Sequence, residues 1–230
     1  KMQLRHEVDA IKSGARIVHC CGFDSIPSDL GVHFLQRGAL EQFGHSCERV
    51  NMRVVSMKGG ASGGTIASMI NMVKEAVNDA DLRRELQDPY SLCPPKHKFS
   101  ISQADVKIAY DEVAGGWIAP FIMAGINTRV VHRSNALSNN SYGVEFKYAE
   151  AVLTGKSASG KRKAQAAHWS VNALMMGLAV PPIRWLLETA VLPKTGEGPS
   201  EKAQLEGMFD IVFHGSTAKG ETIRCRVTGD

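Results

Sequence analysis

A short apolar run that leads into a glycine turn and then a helical pattern constrains this fold more than any other feature. Residues 16–21 (Arg-Ile-Val-His-Cys-Cys) form an apolar run typical of a buried strand. The turn at 22–31 carries Ser25, Pro27 and Ser28, which are residue types favoured where helices begin. In α/β folds such strand–turn–helix units place ligands at the carboxyl ends of the strands. The sequence therefore predicts an α/β fold with a candidate site at this turn.

The first candidate functional residues lie in and just before the turn. Asp24 is placed to orient a substrate or the nicotinamide end of a cofactor, although Asp24 and Ser25 are also good helix caps. His19 suits acid–base catalysis, although a histidine in a strand more often has a structural role. We predict catalytic roles for Asp24 and His19. Contacts to substrate or cofactor are predicted for Gly22, Phe23, Ser25, Pro27 and Ser28.

A second candidate is the glycine-rich segment Lys58–Thr65, which follows a predicted strand and precedes a predicted helix. Backbone N–H groups of Gly63, Gly64 and Thr65 are placed to bind a phosphate, for example that of a carrier-bound substrate. Glycines are also what a tight strand-to-helix turn requires, and the segment matches no recognised phosphate fingerprint.

A third candidate is polar and lies on the helix predicted over 120–137. The spacing places Asn127 and Arg133 away from the main apolar stripe, and leaves Arg129 able to reach a cleft. Guanidinium and amide groups of this kind bind substrate carboxylates or phosphates. The alternative is an ordinary solvated helix face.

The remaining pattern predicts a mixed sheet with flanking helices. Alternating or β-branched runs indicate six further stretches of strand after the first, and apolar repeats of three and four indicate the helices. The predicted strands are 48–57, 106–110, 116–118, 144–153, 209–213 and 222–227. The predicted helices are 1–14, 25–43, 65–77, 79–86, 120–137, 161–178 and 181–191.

The region 171–192 is the most apolar part of the chain. Pro181, Pro182, Arg184 and Glu188 interrupt it, so it is not predicted to span a bilayer. A buried core or a homodimer face is the first interpretation. A lipid-binding wall or a peripheral membrane contact is the alternative.

Composition narrows the class of protein. The content of 43% hydrophobic and 22% charged residues is ordinary for a globular domain, and the net charge of +4 does not favour a nucleic-acid partner. An odd number of cysteines without framework spacing suits reduced thiols in the cytoplasm. No Cys-x-x-Cys occurs, so no metal site is predicted.

Three motifs together carry a resemblance to a known family. The first is His19–Gly31, the second is Lys58–Thr65, and the third runs from Leu192-Pro193 through Gly196–Glu201 to Gly207-Met208-Phe209. In this order they resemble the saccharopine dehydrogenase-like oxidoreductases, and within that group the trans-acting enoyl reductases.

The resemblance implies hydride transfer from NADPH or NADH to an acyl or related substrate. No Gly-x-Gly-x-x-Gly follows a predicted strand, so we expect an internal fragment that is inactive by itself. Residues 1–45 are then the end of a Rossmann-like dinucleotide-binding domain. Residues 46–230 are an α+β domain for substrate binding and dimerisation. The alternative is a non-enzymatic lipid- or membrane-associated scaffold with the same fold.

Overall fold

The structure, a computed structural model, describes residues 2–60 and 62–229, with side chains from Arg5 onward. Ala61 of the glycine-rich segment lies outside this description. The helices are α1 Met2–Ser13, α2 Ile26–Phe43, α3 Gly63–Asn78, α4 Ala80–Gln87, α5 Ala124–Leu137, α6 Ala158–Ala179, α7 Pro181–Ala190 and α8 Glu201–Leu205. The strands are β1 Arg49–Lys58, β2 Ala109–Asp111, β3 Gly116–Pro120, β4 Lys147–Gly155, β5 Met208–Ser216 and β6 Thr222–Gly229.

The strands form one mixed sheet in the order β2-β3-β4-β1-β5-β6. β1 and β4 run parallel, whereas the other neighbouring pairs are antiparallel. Met52 on β1 lies opposite Glu150 on β4 and Phe213 on β5, so these three side chains share one face of the sheet. This mixed sheet with flanking helices confirms the predicted α/β fold.

The main core lies between that face and two helices. Val32 and Leu35 of α2 and Val131 of α5 are buried against Met52 and Phe213 of the sheet. Gly31 allows α2 to approach closely, because a Cβ atom at this position would overlap the Phe213 ring. α2 therefore shares a core with β1 and β5. These strands follow the domain boundary predicted near residue 45, and that boundary stays a prediction.

A second, smaller core joins α3 to α6 and α7. Ile66 and Ile70 of α3 pack with Leu178 of α6, and Leu187 of α7 lies against them. α6 also packs on β3 and β4. The axes of α6 and α7 differ by 109° across the break at Val180. Among the described helices, no single one is long and apolar enough to cross a membrane. Only the bent pair α6–α7, taken together, has the length and composition of a membrane span.

The first predicted strand is not formed. Residues 16–21 are irregular and exposed, and Cys20 has a positive φ of 57°. A strand is stable only when neighbours satisfy its backbone groups, and none of the described strands pairs with this segment. Val8 and Ile11 of α1 are likewise exposed, so the apolar pattern before residue 22 faces no core within the described residues.

Candidate functional site

The turn before α2 is closed by its own backbone and directs its serines inward. The Gly22 carbonyl accepts hydrogen bonds from the N–H groups of Ser25 and Ile26, and Pro27 lies in the first helical turn. Ser25 occupies the predicted N-cap position, but its hydroxyl caps no backbone N–H. Ser25 and Ser28 are instead buried beneath the helix. Their hydroxyls therefore face the sheet and α5.

Asn127 of α5 connects both serines to the sheet. Its Oδ1 atom accepts a hydrogen bond from the Ser25 hydroxyl at 3.1 Å. Its Nδ2 atom donates to Ser28 Oγ at 3.2 Å and to Glu150 Oε2 at 3.0 Å. Asn127 is buried, so the expectation that it lies away from the apolar stripe was wrong. Its amide is at the centre of a polar cluster joining α2, α5 and β4.

Glu150 is the deepest charged group of this cluster. Only 1% of its surface is exposed, and its second oxygen, Oε1, accepts a hydrogen bond from the Tyr148 hydroxyl at 2.8 Å. Burial raises the pKa of Glu150, and hydrogen bonds from Tyr148, Ser28 and Asn127 act in the opposite direction. Burial and the neighbouring Glu150 carboxylate raise the pKa of Tyr148 well above its ordinary value. The pair is a buried acid held by neutral donors.

A second carboxylate, that of Asp29, lies in the first turn of α2. Asp29 Oδ2 accepts a hydrogen bond from the Ser134 hydroxyl of α5 at 2.8 Å, while Oδ1 has no partner among the described residues. Burial raises the pKa of Asp29, against the lowering effects of Ser134 and of His33. Tyr142 and His33 approach at 3.4 Å beside it. Two carboxylates therefore occupy the positively polarised end of α2 from the protein side.

The two predicted catalytic residues do not join this cluster. Asp24 and His19 are exposed, and they lie in the turn and in the irregular segment before it. Phe23 is also exposed, and its ring meets Phe209 of β5 edge to face at a centroid distance of 4.9 Å. His19, Gly22, Phe23 and Asp24 are thus among the exposed residues of the first motif, which a ligand can reach.

The glycine-rich segment packs on the chain itself. The Gly63 N–H donates to the Glu197 carbonyl at 2.8 Å, and a Cβ atom at Gly63 would overlap the Lys194 carbonyl group. Ser62 caps α3 by accepting from the Thr65 N–H at 3.2 Å. The first N–H groups of α3 therefore already have protein partners. Gly64 has open space in front of it apart from the Ser62 hydroxyl.

Arg129 and Arg133 contact a different part of the chain from Asn127. Arg129 donates to Ser91 Oγ at 3.2 Å and to the backbone carbonyls of Leu86, Asp88 and Gly125. Arg133 donates to the Leu92 carbonyl. Both guanidinium groups hold the irregular segment after α4 against α5. The three residues predicted as one binding set are therefore not brought together.

The residues that sequence reasoning missed are Tyr148 and Glu150. Both lie on β4, two positions apart, and hence on one face of the strand. A glutamate in an alternating strand usually faces solvent, so the strand pattern at 144–153 did not mark Glu150 as a buried residue. The one available signal was that Ala149 and Ala151 alternate with Tyr148 and Glu150. Because alanine is small and apolar, this pattern allows either face of β4 to be buried. Only the position of α5 decides between them.

The fold and cluster define a class: a mixed α/β protein in which the turn before α2 is fixed to the central sheet by buried polar side chains. No family model matches the chain, and no solved structure matches it. Curated proteins do. The chain is 40% identical, over its whole length and 58% of the relative, to a Mycobacterium tuberculosis protein named "Putative trans-acting enoyl reductase".

Two further relatives carry the name trans-acting enoyl reductase. The Mycobacterium leprae protein is 36% identical over 94% of this chain and 54% of its own length. The Mycobacterium ulcerans protein is 35% identical over 92% of this chain and 53% of its own length. The chain therefore spans little more than half the length of the relatives it matches. These likenesses agree with the resemblance to trans-acting enoyl reductases, and they do not extend to the wider saccharopine dehydrogenase-like group.

Proposed function

We propose that this chain is the substrate-side part of an enoyl reductase of the trans-acting type, within the saccharopine dehydrogenase-like oxidoreductases. The observation that carries the proposal is the 40% identity over the whole chain to a relative named for that activity. The reaction is the reduction of the C=C bond of an enoyl thioester, in which one carbon receives a hydride and the other a proton. NADPH or NADH is the proposed hydride source.

The described residues do not fit a dinucleotide diphosphate. The serine hydroxyls at the start of α2 point inward to Asn127, and Glu150 and Asp29 already occupy the positive end of that helix. An anion at the same place would meet two carboxylates. The start of α3 is closed by Glu197. We therefore assign to this chain the binding of the acyl substrate.

Within this proposal the buried cluster positions the turn, and the exposed turn meets the substrate. Ser25, Ser28 and Asn127 fix the first turn of α2, and Gly22, Phe23 and Asp24 are presented at its outer side. Asp24 and His19 are the proposed polar contacts to the substrate. A Rossmann-like unit ending near residue 45 and a homodimer remain parts of the same proposal.

The test exchanges segments between this chain and the Mycobacterium leprae relative. The matching part of that relative is replaced by this chain, and NADPH and NADH oxidation are followed with an enoyl thioester. We expect turnover by the hybrid and a drop of about tenfold or more after Asp24→Asn, the loss typical of one positioned polar group. Glu112→Gln, which changes another exposed carboxylate, serves as the control.

A folded hybrid without turnover, beside an active parent, would reject the assignment. It would favour the alternative, a lipid-associated scaffold without turnover. The observation behind that alternative is the exposed apolar surface of α6 and α7. Equal turnover in Asp24→Asn and the control would keep the enzyme and remove Asp24 from its site.

A further inference from the structure

The two helices α6 and α7 leave large apolar side chains in solvent on both sides of their bend. Trp169 and Met176 of α6 are 70% and 71% exposed, and Trp185 of α7 is 66% exposed. We call this surface the α6–α7 elbow. It consists of Trp169, Met176, Val180, Ile183, Trp185 and Leu186.

The elbow is not the inner side of the helices. Leu174, Leu178 and Leu187 already pack on Ile66 and Ile70 of α3, so both helices are anchored by a different face. Trp169 and Met176 are seven residues apart, which aligns them on one side of α6, and Val180 follows the end of that helix. The elbow is thus a second apolar face of helices that have already buried their first.

The same segment carries an excess of positive charge. α6 and α7 contain four Lys and Arg residues and one acidic residue, Glu188, which is already paired with Lys74 of α3, in a chain whose total net charge is only +4. Lys161, Arg162 and Lys163 form the second turn of α6, ahead of the apolar stripe. Arg184 precedes Trp185 in α7. Exposed tryptophans and leucines beside basic residues are the composition of helices that lie in the surface of an anionic bilayer.

We propose that the α6–α7 elbow docks the protein on the surface of an anionic lipid bilayer. Trp169 and Trp185 lie at the level of the headgroups, Met176 and Leu186 enter the acyl boundary, and the basic residues pair with lipid phosphates. This inference does not rest on the enoyl reductase proposal, since a reductase and a scaffold can both dock in this way.

Two features favour a lipid surface over the other possible occupants. The 109° bend divides the apolar sequence between two helices. α7 is too short to span a bilayer, and α6 is long enough only if its charged first turns are included. A second copy of the chain, related by a two-fold axis, would bring two segments of the same positive net charge into one interface. An anionic surface neutralises those charges.

The experiment measures binding of the 230-residue chain to vesicles by flotation. Phosphatidylcholine vesicles are compared with mixed phosphatidylcholine–phosphatidylglycerol vesicles. The elbow variant is Trp169→Ser/Met176→Ser/Trp185→Ser. The matched control is Val113→Ser/Leu205→Ser, which removes two apolar side chains that are 72% and 81% exposed elsewhere. Far-ultraviolet circular dichroism and the urea midpoint verify that each variant is folded.

We expect strong binding to the mixed vesicles, a loss of about tenfold or more in the elbow variant, and no change in the control. Arg162→Gln/Lys163→Gln should lower binding to the mixed vesicles about tenfold and leave the weak binding to phosphatidylcholine alone unchanged. Tryptophan emission should shift to shorter wavelength on the mixed vesicles, and this shift should disappear in Trp169→Phe/Trp185→Phe.

Two results would overturn the proposal. One is equal vesicle binding by the elbow variant and by the control. The other is absence of vesicle binding in the unaltered chain together with a dimer, seen by sedimentation velocity, that the elbow variant dissociates. The second result would assign the elbow to a second copy of the chain.

Discussion

Two regions of this molecule depart from the ordinary distribution of polar and apolar groups. One buries polar side chains, and the other exposes apolar side chains. Between α2, α5 and the sheet, the carboxylate of Glu150 is buried together with Asn127 and two serines. On the α6–α7 elbow, tryptophan and methionine side chains stand in solvent. The first arrangement costs desolvation, which four hydrogen bonds offset; the second leaves apolar area in water with no compensation inside the described chain.

This difference indicates that the buried polar cluster contributes to the stability of the fold, whereas the exposed apolar surface is available for binding. A buried polar cluster contributes to stability only when all its members are paired, so each of them is sensitive to substitution. An exposed apolar surface contributes nothing to the packing of the chain and can be changed without unfolding it. The predictions below test this contrast, beginning with the largest expected effect.

Asn127→Ala should produce the largest loss. It removes the amide that donates to Glu150 and Ser28 and accepts from Ser25, and it leaves a buried carboxylate with one donor fewer. We expect the free energy of unfolding to fall by about 3–4 kcal/mol, as for loss of one partner of a buried charged group. Urea denaturation at neutral pH measures the change.

Asn78→Ala is the matched control for that substitution. The Asn78 amide donates only to the Lys74 carbonyl at the exposed end of α3, and its loss should change the free energy of unfolding by less than about 0.5 kcal/mol. Equal effects of the two substitutions would mean that the buried cluster does not hold α2 to the sheet.

His132 of α5 provides the next largest effect because it is a buried polar group that lacks partners. Neither ring nitrogen has a hydrogen-bond partner among the described residues, and the rings of Tyr90, Phe99 and Phe146 surround it. Burial lowers the pKa of His132 from 6.5 to about 4. The native state therefore binds fewer protons than the unfolded state between these pH values, and stability is lost as pH falls through them.

His132→Phe should remove that loss while keeping the aromatic packing. Relative to the unaltered chain, the variant should gain about 2–3 kcal/mol of stability between pH 8 and pH 4. Unfolding curves recorded across this range for both proteins give the difference, in which the contributions of all carboxylates cancel. A difference that is independent of pH would show that His132 is solvated or paired.

Most of the fold could be predicted from the sequence because local signals agreed with packing. The Gly215–Gly220 region between two alternating runs predicted the β5–β6 hairpin, and Asp79 predicted the start of α4, where it accepts from the N–H groups of Asp81 and Leu82. The strand predicted at 16–21 is not formed, because residues with high strand propensity adopt a strand only where they can pack and pair with neighbouring strands. Its apolar residues have none among the described strands.

The candidate site could be predicted only in part. Ser25 and Ser28 were identified as functional candidates from the turn in which they lie, and Asn127 from its residue type on the helix predicted over 120–137. Glu150 was missed because a single strand pattern does not say which face is covered by a helix. Gly63 was identified for phosphate binding, but the segment that covers it, Lys194–Glu197, lies more than a hundred residues away, and only tertiary structure brings it there.

Gly63→Ala should have an intermediate effect, at the point where the segment after α7 is tied to the start of α3. A Cβ atom would overlap the Lys194 carbonyl group, which is backbone and yields only by moving the whole segment. We expect a loss of about 1–3 kcal/mol, as for overpacking, and faster proteolysis within 194–200. Gly198→Ala, whose added Cβ meets nothing within 4 Å, should behave as the unaltered chain.

The smallest effect is expected on the elbow, and it is the most informative for the contrast. Trp169→Ser/Met176→Ser removes two large side chains from α6 that are mostly in water already, so the free energy of unfolding should change by less than about 0.5 kcal/mol. Leu178→Ala, two positions beyond Met176 on the same helix, removes a fully buried side chain and should cost about 2–4 kcal/mol. If the double substitution were as costly as Leu178→Ala, the elbow would be part of the core. If instead it were neutral, retention of two such large apolar residues would need a reason outside the folded chain, and a binding surface supplies it.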